Sequence, residues 1–214
     1  MQPVKLVVVE DMPTEAEIAV RQLEAGGFAC TWKRVDSEAA LRRSLVELKP
    51  DLILSGVNHG ENTSTNVLYS GTMSAAVEGA MENIPSIGFS LCDFDANADF
   101  TGTQDVARRI VSQVLQNQFP EHVCLNVNVP KLSSSDIKGI KVCKQAHAFW
   151  EDRFDKRLDQ FGKPYYWLTG DFIKHGQDED SDLYALEEGY ATVVPTQFDM
   201  TAYKVMDQFK NWNL

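Results

Sequence analysis

Three short stretches carry the side chains that could do chemistry. Glu10 and Asp11 stand side by side directly after the apolar run Val4–Val9. Asn58 closes the stretch Ser55-Gly56-Val57-Asn58, which follows a second apolar run. Ser70, Gly71 and Thr72 open a stretch rich in small residues. Two carboxylates and a carboxamide are hard oxygen donors suited to Mg²⁺ or Mn²⁺. Adjacent carboxylates in one cleft repel each other, and a divalent cation relieves that repulsion. A Ser-Gly-Thr at a helix start offers free backbone N–H groups flanked by hydroxyls, which makes an anion site. Each piece also has a plainer reading: Glu10 and Asp11 can cap a helix opened by Pro13, and Ser70 can be an ordinary cap.

Position favours the chemical reading. The first half of the chain alternates strands and helices. Val4–Val9 reads as a strand buried on both faces. A helix begins at Pro13, with Ala16, Ala19, Val20 and Leu23 at helical spacing, and Gly26-Gly27 ends it. Phe28–Val35 is a second strand, Asp36 or Ser37 caps a second helix that Pro50 closes, and Leu52–Ser55 is a third strand. A βαβαβ pattern predicts a parallel sheet with right-handed crossovers. In the flavodoxin-like strand order the first and third strands are neighbours, and ligands sit beyond their carboxyl ends. Glu10, Asp11 and Asn58 then converge, and the helix that follows the third strand starts on the same crevice.

The remaining elements are read in the same way. A helix spans about 71–83, strands span 86–91 and 123–129, and Thr103 caps a helix whose face is Val106, Ile110, Val111 and Val114. After Pro130 the pattern changes to a strand at 137–145, a long hairpin at 154–173 turning at Phe161–Pro164, a short helix at 183–188, a strand at 190–194 and a final amphipathic helix at 201–212. The fold class is α/β: a three-layer Rossmann-like or flavodoxin-like parallel sheet with a C-terminal hairpin extension and final helix. It forms one composite domain over residues 1–214, in three segments: 1–55, 56–149 and 150–214.

Composition narrows the classes. A net charge of −11 argues against nucleic-acid polymers or an anionic membrane as partner, but leaves room for a small phosphate held by a local positive centre. No apolar run reaches the roughly 18 residues of a membrane span, and the opening run ends in acid rather than in a cleavage site. A cytoplasmic protein is expected. Cys30, Cys92, Cys124 and Cys143 are too scattered for a zinc site or a disulfide framework.

Two resemblances follow from the motifs. VKLVVVEDMP, RQLEAGGF and PDLILS resemble a response-regulator receiver over about 1–55, although Gly56 stands where the phosphate-accepting aspartate would be. From Pro50 onward the chain resembles the survival protein E (SurE) family of metal-dependent nucleotidases. SGVNHGENTSTNVLYSGTMSAAVEGA, IPSIGFSL, LNVNVPK, WEDRFDKR, PYYWLTGDF and EEGYATVVPTQFDMTAY carry that likeness, in order, over about three quarters of the chain. Together they imply a chimera joined at the strand both families share, an engineered one first and a natural fusion of half-domains as the alternative. The SurE likeness implies a divalent-metal phosphomonoesterase acting on nucleoside monophosphates. Glu10, Asp11 and Asn58 would be its metal ligands, Asp11 would also anchor the nucleophilic water, and Asn62, Ser70, Gly71 and Thr72 would lie on the phosphate side. It further implies a homodimer or homotetramer built through 150–173 and 198–214. Glu10 is one methylene longer than the family's aspartate, the family's serine ligand has no counterpart, and Tyr203 stands where the family often has histidine. Weak or absent turnover is therefore expected. His59 and His147 are candidate proton donors. The alternatives are a non-catalytic recombined fold and, less favoured, a receiver-like signalling module.

Overall fold

The structure, a computed structural model, describes residues 3–176 and 178–212. Residues 1, 2, 177, 213 and 214 of the proposed segments lie outside the described residues. Nine strands and six α-helices follow one another as β1 (Val4–Val9), α1 (Pro13–Ala25), β2 (Cys30–Val35), α2 (Glu38–Leu48), β3 (Leu52–His59), α3 (Gly71–Met81), β4 (Ser86–Leu91), α4 (Thr101–Gln116), β5 (Val123–Val129), β6 (Ile140–Val142), β7 (Ala148–Leu158), β8 (Pro164–Lys174), α5 (Asp182–Glu187), β9 (Ala191–Gln197) and α6 (Met206–Lys210) among the described residues. A 3-10 turn, Ser64–Tyr69, leads into α3.

Seven strands form one sheet in the order β2-β1-β3-β4-β5-β9-β6, while β7 and β8 form a separate ribbon. The first five run parallel, and β9 pairs antiparallel to β5. This is the three-layer α/β arrangement expected. The continuous apolar runs Val7-Val8, Leu52-Ile53-Leu54 and Ile87 lie in strands covered on both faces, and these residues are buried. Leu6, Leu54, Phe89, Val106, Val111 and Val127 belong to one core cluster, and Val7, Leu41 and Ile53 to another. The glycine pair closes α1 as expected, with Gly27 in the left-handed region and Phe28 N–H donating to the Leu23 carbonyl.

Several boundaries differ from the sequence reading. The strand read at 137–145 is only β6, Ile140–Val142, and α4 starts at Thr101, so Thr103 lies buried inside its first turn rather than capping it. β3 continues past Ser55 to His59, because a register shift between Ser55 and Asn58 lets the strand regain pairing with β4. The hairpin begins at Ala148, six residues earlier than periodicity indicated, since a ribbon exposed on both faces has no clear alternation to read. The final helix is only the turn Tyr203–Val205 followed by α6. Its residues are exposed, and a short helix without a packed face is marginal in water.

None of the described helices is long and apolar enough to cross a membrane. The four cysteines are free thiols, and burial raises the pKa of Cys92 and Cys124.

Candidate active site

The carboxyl ends of β1 and β3 lie side by side, with Val9 opposite Ser55. The residues that follow them open into a cleft of about 600 Å³ lined by Glu10, Asp11, Asn58, His59, Gly71 and Thr72, among others. The sequence-predicted convergence is therefore present: both carboxylates, the Asn58 carboxamide and the start of α3 share one cleft.

Gly56 makes this convergence possible. Its φ is +92°, and a Cβ there would run into the Phe89 carbonyl oxygen and stand 3.2 Å from Thr72 Cγ2. Only glycine lets β3 bulge while α3 comes this close. Beyond the bulge, Asn58 Nδ2 donates to the Gly60 carbonyl at 2.8 Å, which leaves Oδ1 as the amide atom with a lone pair to offer.

The acidic pair is held from beneath. Arg34 Nη1 donates to the carbonyls of Glu10 at 2.8 Å and Asp11 at 3.2 Å, and pairs with Asp36 Oδ2 at 2.9 Å. Glu10 Oε1 turns back to accept the Met12 N–H at 3.1 Å. Burial, and then the hydrogen bond to Asp11, push the Glu10 carboxyl up to about 7. The same bond to Glu10 holds the exposed Asp11 carboxyl below the usual range. The two carboxylates repel each other, and a bound divalent cation would relieve that repulsion.

This donor set fits a divalent cation. Glu10, Asp11 and Asn58 offer hard oxygens, and Mg²⁺ commonly takes one or two carboxylates and completes its shell with water and phosphate oxygens. Among the described residues no cluster of three His, Cys, Asp or Glu is placed to hold a metal, so the protein's share of the shell would be partial.

At the start of α3, Ser70 Oγ accepts the Met73 N–H at 3.1 Å, and the Ser70 carbonyl accepts the Ser74 N–H. The N–H groups of Gly71 and Thr72 have no partner among the described residues. Ser70 is thus the cap that the plainer reading foresaw, and it leaves two unspent donors at the cleft.

Asn62 lies elsewhere. It is buried and absent from the cleft lining. Its N–H donates to Asn128 Oδ1 at 2.7 Å, its Nδ2 to Ser90 Oγ at 2.8 Å, and its carbonyl accepts from Asn126 Nδ2 at 2.7 Å. The side-chain amide serves this network beneath the loop rather than reaching a phosphate. His147 sits at the hairpin base beside His175, with ring centroids 5.2 Å apart, and the Tyr203 hydroxyl donates to Asp199. Of the candidate proton donors, His59 alone lines the cleft among the described residues.

Sequence reasoning missed Asp36, Glu15 and Arg34. Asp36 follows Val35, which lies opposite Val9 in the sheet, so its place beside Glu10 was legible once β2 was set next to β1. Glu15 lies in the first turn of α1, directly behind the acidic pair.

A family model described as "Survival protein SurE" matches residues 14–152. A protein named "5'-nucleotidase SurE" from Flavobacterium psychrophilum is 52% identical over 187 residues, covering 87% of this chain and 73% of that protein. A protein of the same name from Bacteroides fragilis is 39% identical over 203 residues, covering 94% of this chain and 79% of its own length. The crystal structure of SurE protein from Aquifex aeolicus superposes with a TM-score of 0.79 at 31% identity, covering 97% of this chain and 98% of that one. The family match enters the segment that resembles a receiver and crosses most of it. The comparisons support one family along the chain and give no support to a receiver half or to an engineered fusion. Both folds open with the same βαβαβ pattern, so the apolar spacing of residues 4–55 reads alike in either.

Proposed function

Because this chain belongs to the survival protein SurE family, we propose that it hydrolyses phosphate monoesters, with nucleoside monophosphates as substrates and a divalent cation as cofactor. One observation carries the reading: the acidic pair Glu10–Asp11, Asn58 and the unspent N–H groups of α3 face a single cleft. The relatives' names agree with it.

Glu10, Asp11 and Asn58 would hold the cation, which when bound supplies positive charge against the phosphate and lowers the pKa of a bound water. The chain's own residues do the rest. Asp11, ionised and exposed, orients the attacking water and accepts its proton. The Gly71 and Thr72 N–H groups point at charge developing on the phosphoryl oxygens. Ser70 holds the helix start in place, and Gly56 keeps it close to β3.

Low turnover is the finer part of the proposal. Glu10 spends one oxygen on its own loop, and an error of about 1 Å at a reacting centre can cost roughly a hundredfold. Oligomerisation is a further part. Trp150, Phe154, Tyr166 and Trp167 on the ribbon and Phe209 and Trp212 near the C-terminus are exposed, and aromatic surfaces of this kind fit a subunit interface. Phosphate release from a panel of nucleoside monophosphates, with Mn²⁺, with Mg²⁺ and with chelator, tests the activity. Metal-dependent release supports it, and none from folded protein removes it.

A further inference from the structure

The orientation of Asn58 depends on a loop that does not line the cleft. Asn58 Nδ2 is held by the Gly60 carbonyl, and Gly60 is held in turn by the end of β4 and the loop that follows it, residues 92–100. The Gly60 N–H donates to the carbonyls of Leu91 at 2.8 Å and Asp93 at 3.2 Å. The Asp93 carbonyl also stands 3.3 Å from His59 Nδ1. Gly60 has a φ of +88°, and the ring of Phe94 fills the place that a Cβ would take there. His59 and Gly60 thus follow the backbone of residue 93.

An ion pair fixes that residue. The Asp93 side chain is 9% exposed, and its Oδ1 accepts the Asp95 N–H at 3.0 Å and Lys131 Nζ at 2.8 Å. An ionised carboxylate so far out of water needs a charged partner. Lys131, and then the Asp95 N–H, hold this carboxyl below the usual carboxylate range. Among the described residues no other cation pairs with Asp93. Lys131 stands just past the end of β5, where the Val129 carbonyl accepts the Cys92 N–H at 2.9 Å. The pair therefore ties the loop after β4 to the end of β5.

We propose that Lys131 is a positioning residue for the cation site: its ion pair with Asp93 fixes the loop that sets Gly60, and Gly60 sets the Asn58 amide with Oδ1 free to bind the cation. The cation belongs to the phosphatase reading, whereas the clamp on Asn58 rests on the hydrogen bonds alone. The test is calorimetric titration of the whole chain with Mn²⁺ and no substrate, read as the binding that Asn58→Ala removes. Groups behind a metal ligand set its affinity, so Lys131→Met should weaken this binding about threefold to tenfold. Lys131→Arg should restore it. Charge alone predicts the reverse for Lys131→Met, because removing a nearby positive charge strengthens attraction for Mn²⁺. The direction of the change thus separates position from field. Should Lys131→Met not fold, Lys131→Met with Asp93→Asn removes the pair at no net change of charge and should show the same loss. Unchanged or tighter binding in a folded variant overturns the proposal. NMR of the metal-free protein separates the two readings: the Asn58 Nδ2 resonances should move in Lys131→Met and return in Lys131→Arg. If wild type binds no Mn²⁺ here while those resonances move, the cation reading fails and the clamp stands. Resonances that stay in place overturn the clamp.

Discussion

Gly56 leaves open the space into which Thr72 reaches across the site: a Cβ on residue 56 would stand 3.2 Å from Thr72 Cγ2, and Gly56 has a φ of +92°. The bulge at the end of β3 and the first turn of α3 are therefore one unit. Gly56→Ala should cost about 1–3 kcal/mol for the left-handed backbone alone, with a further penalty from the clash at Phe89. Urea unfolding reads the loss. A variant as stable as wild type would mean that the bulge is not required.

Asn62 and Asn128 form the next unit. Asn128→Ala leaves the buried Asn62 N–H without its 2.7 Å partner, at an expected cost of about 1–3 kcal/mol. Asn62→Ala should likewise lower stability, because Nδ2 no longer meets Ser90. If Asn62→Ala instead left stability unchanged and raised KM alone, the amide would be a phosphate ligand and its place in the network incidental.

Asp182 anchors the hairpin base. Its carboxylate is buried and accepts the N–H groups of Ser64, Ala146 and Leu183. Burial raises its pKa above the usual value, against the pull of those donors. The folded state thus holds this proton more tightly than the unfolded chain, whose Asp titrates near about 3.9. The stability tied to it is present below that pH and is lost as pH rises through the folded value. Asp182→Asn does not titrate. The advantage of wild type over this variant should shrink between pH 3.5 and 7 in urea unfolding. An advantage that grows with pH contradicts the assignment.

The β7–β8 ribbon and the C-terminal turns should build the oligomer. Size-exclusion chromatography with light scattering should give a dimer or tetramer, and Phe154→Asp with Trp167→Asp should release monomers. A wild-type monomer peak removes this surface as an interface.

Much of the frame was legible in the residues. β1, β4 and β5 could be bounded because Val4–Val9, Ser86–Leu91 and Val123–Val129 are mainly apolar stretches between clear breakers. The meeting of Glu10, Asp11 and Asn58 followed from the order of β1 and β3 alone. Asn62 was harder to place, because a loop asparagine carries no periodicity and its partners Asn126 and Asn128 lie more than sixty residues away. Nor could spacing show that Glu10 bends back to Met12, which depends on side-chain torsions rather than pattern. The receiver likeness of residues 4–55 shows the converse: a pattern dictated by a shared βαβαβ frame says little about which family supplied it.

On the proposed function, the cleft between β1, β3 and α3 hydrolyses phosphate esters with a bound cation. Hydrolysis of p-nitrophenyl phosphate with Mn²⁺, by wild type beside folded Asp11→Asn and Asn58→Ala, tests it most directly. Wild type should show turnover that chelator abolishes, and both variants should fall at least a hundredfold. Turnover indifferent to chelator, or retained in Asp11→Asn, would contradict it.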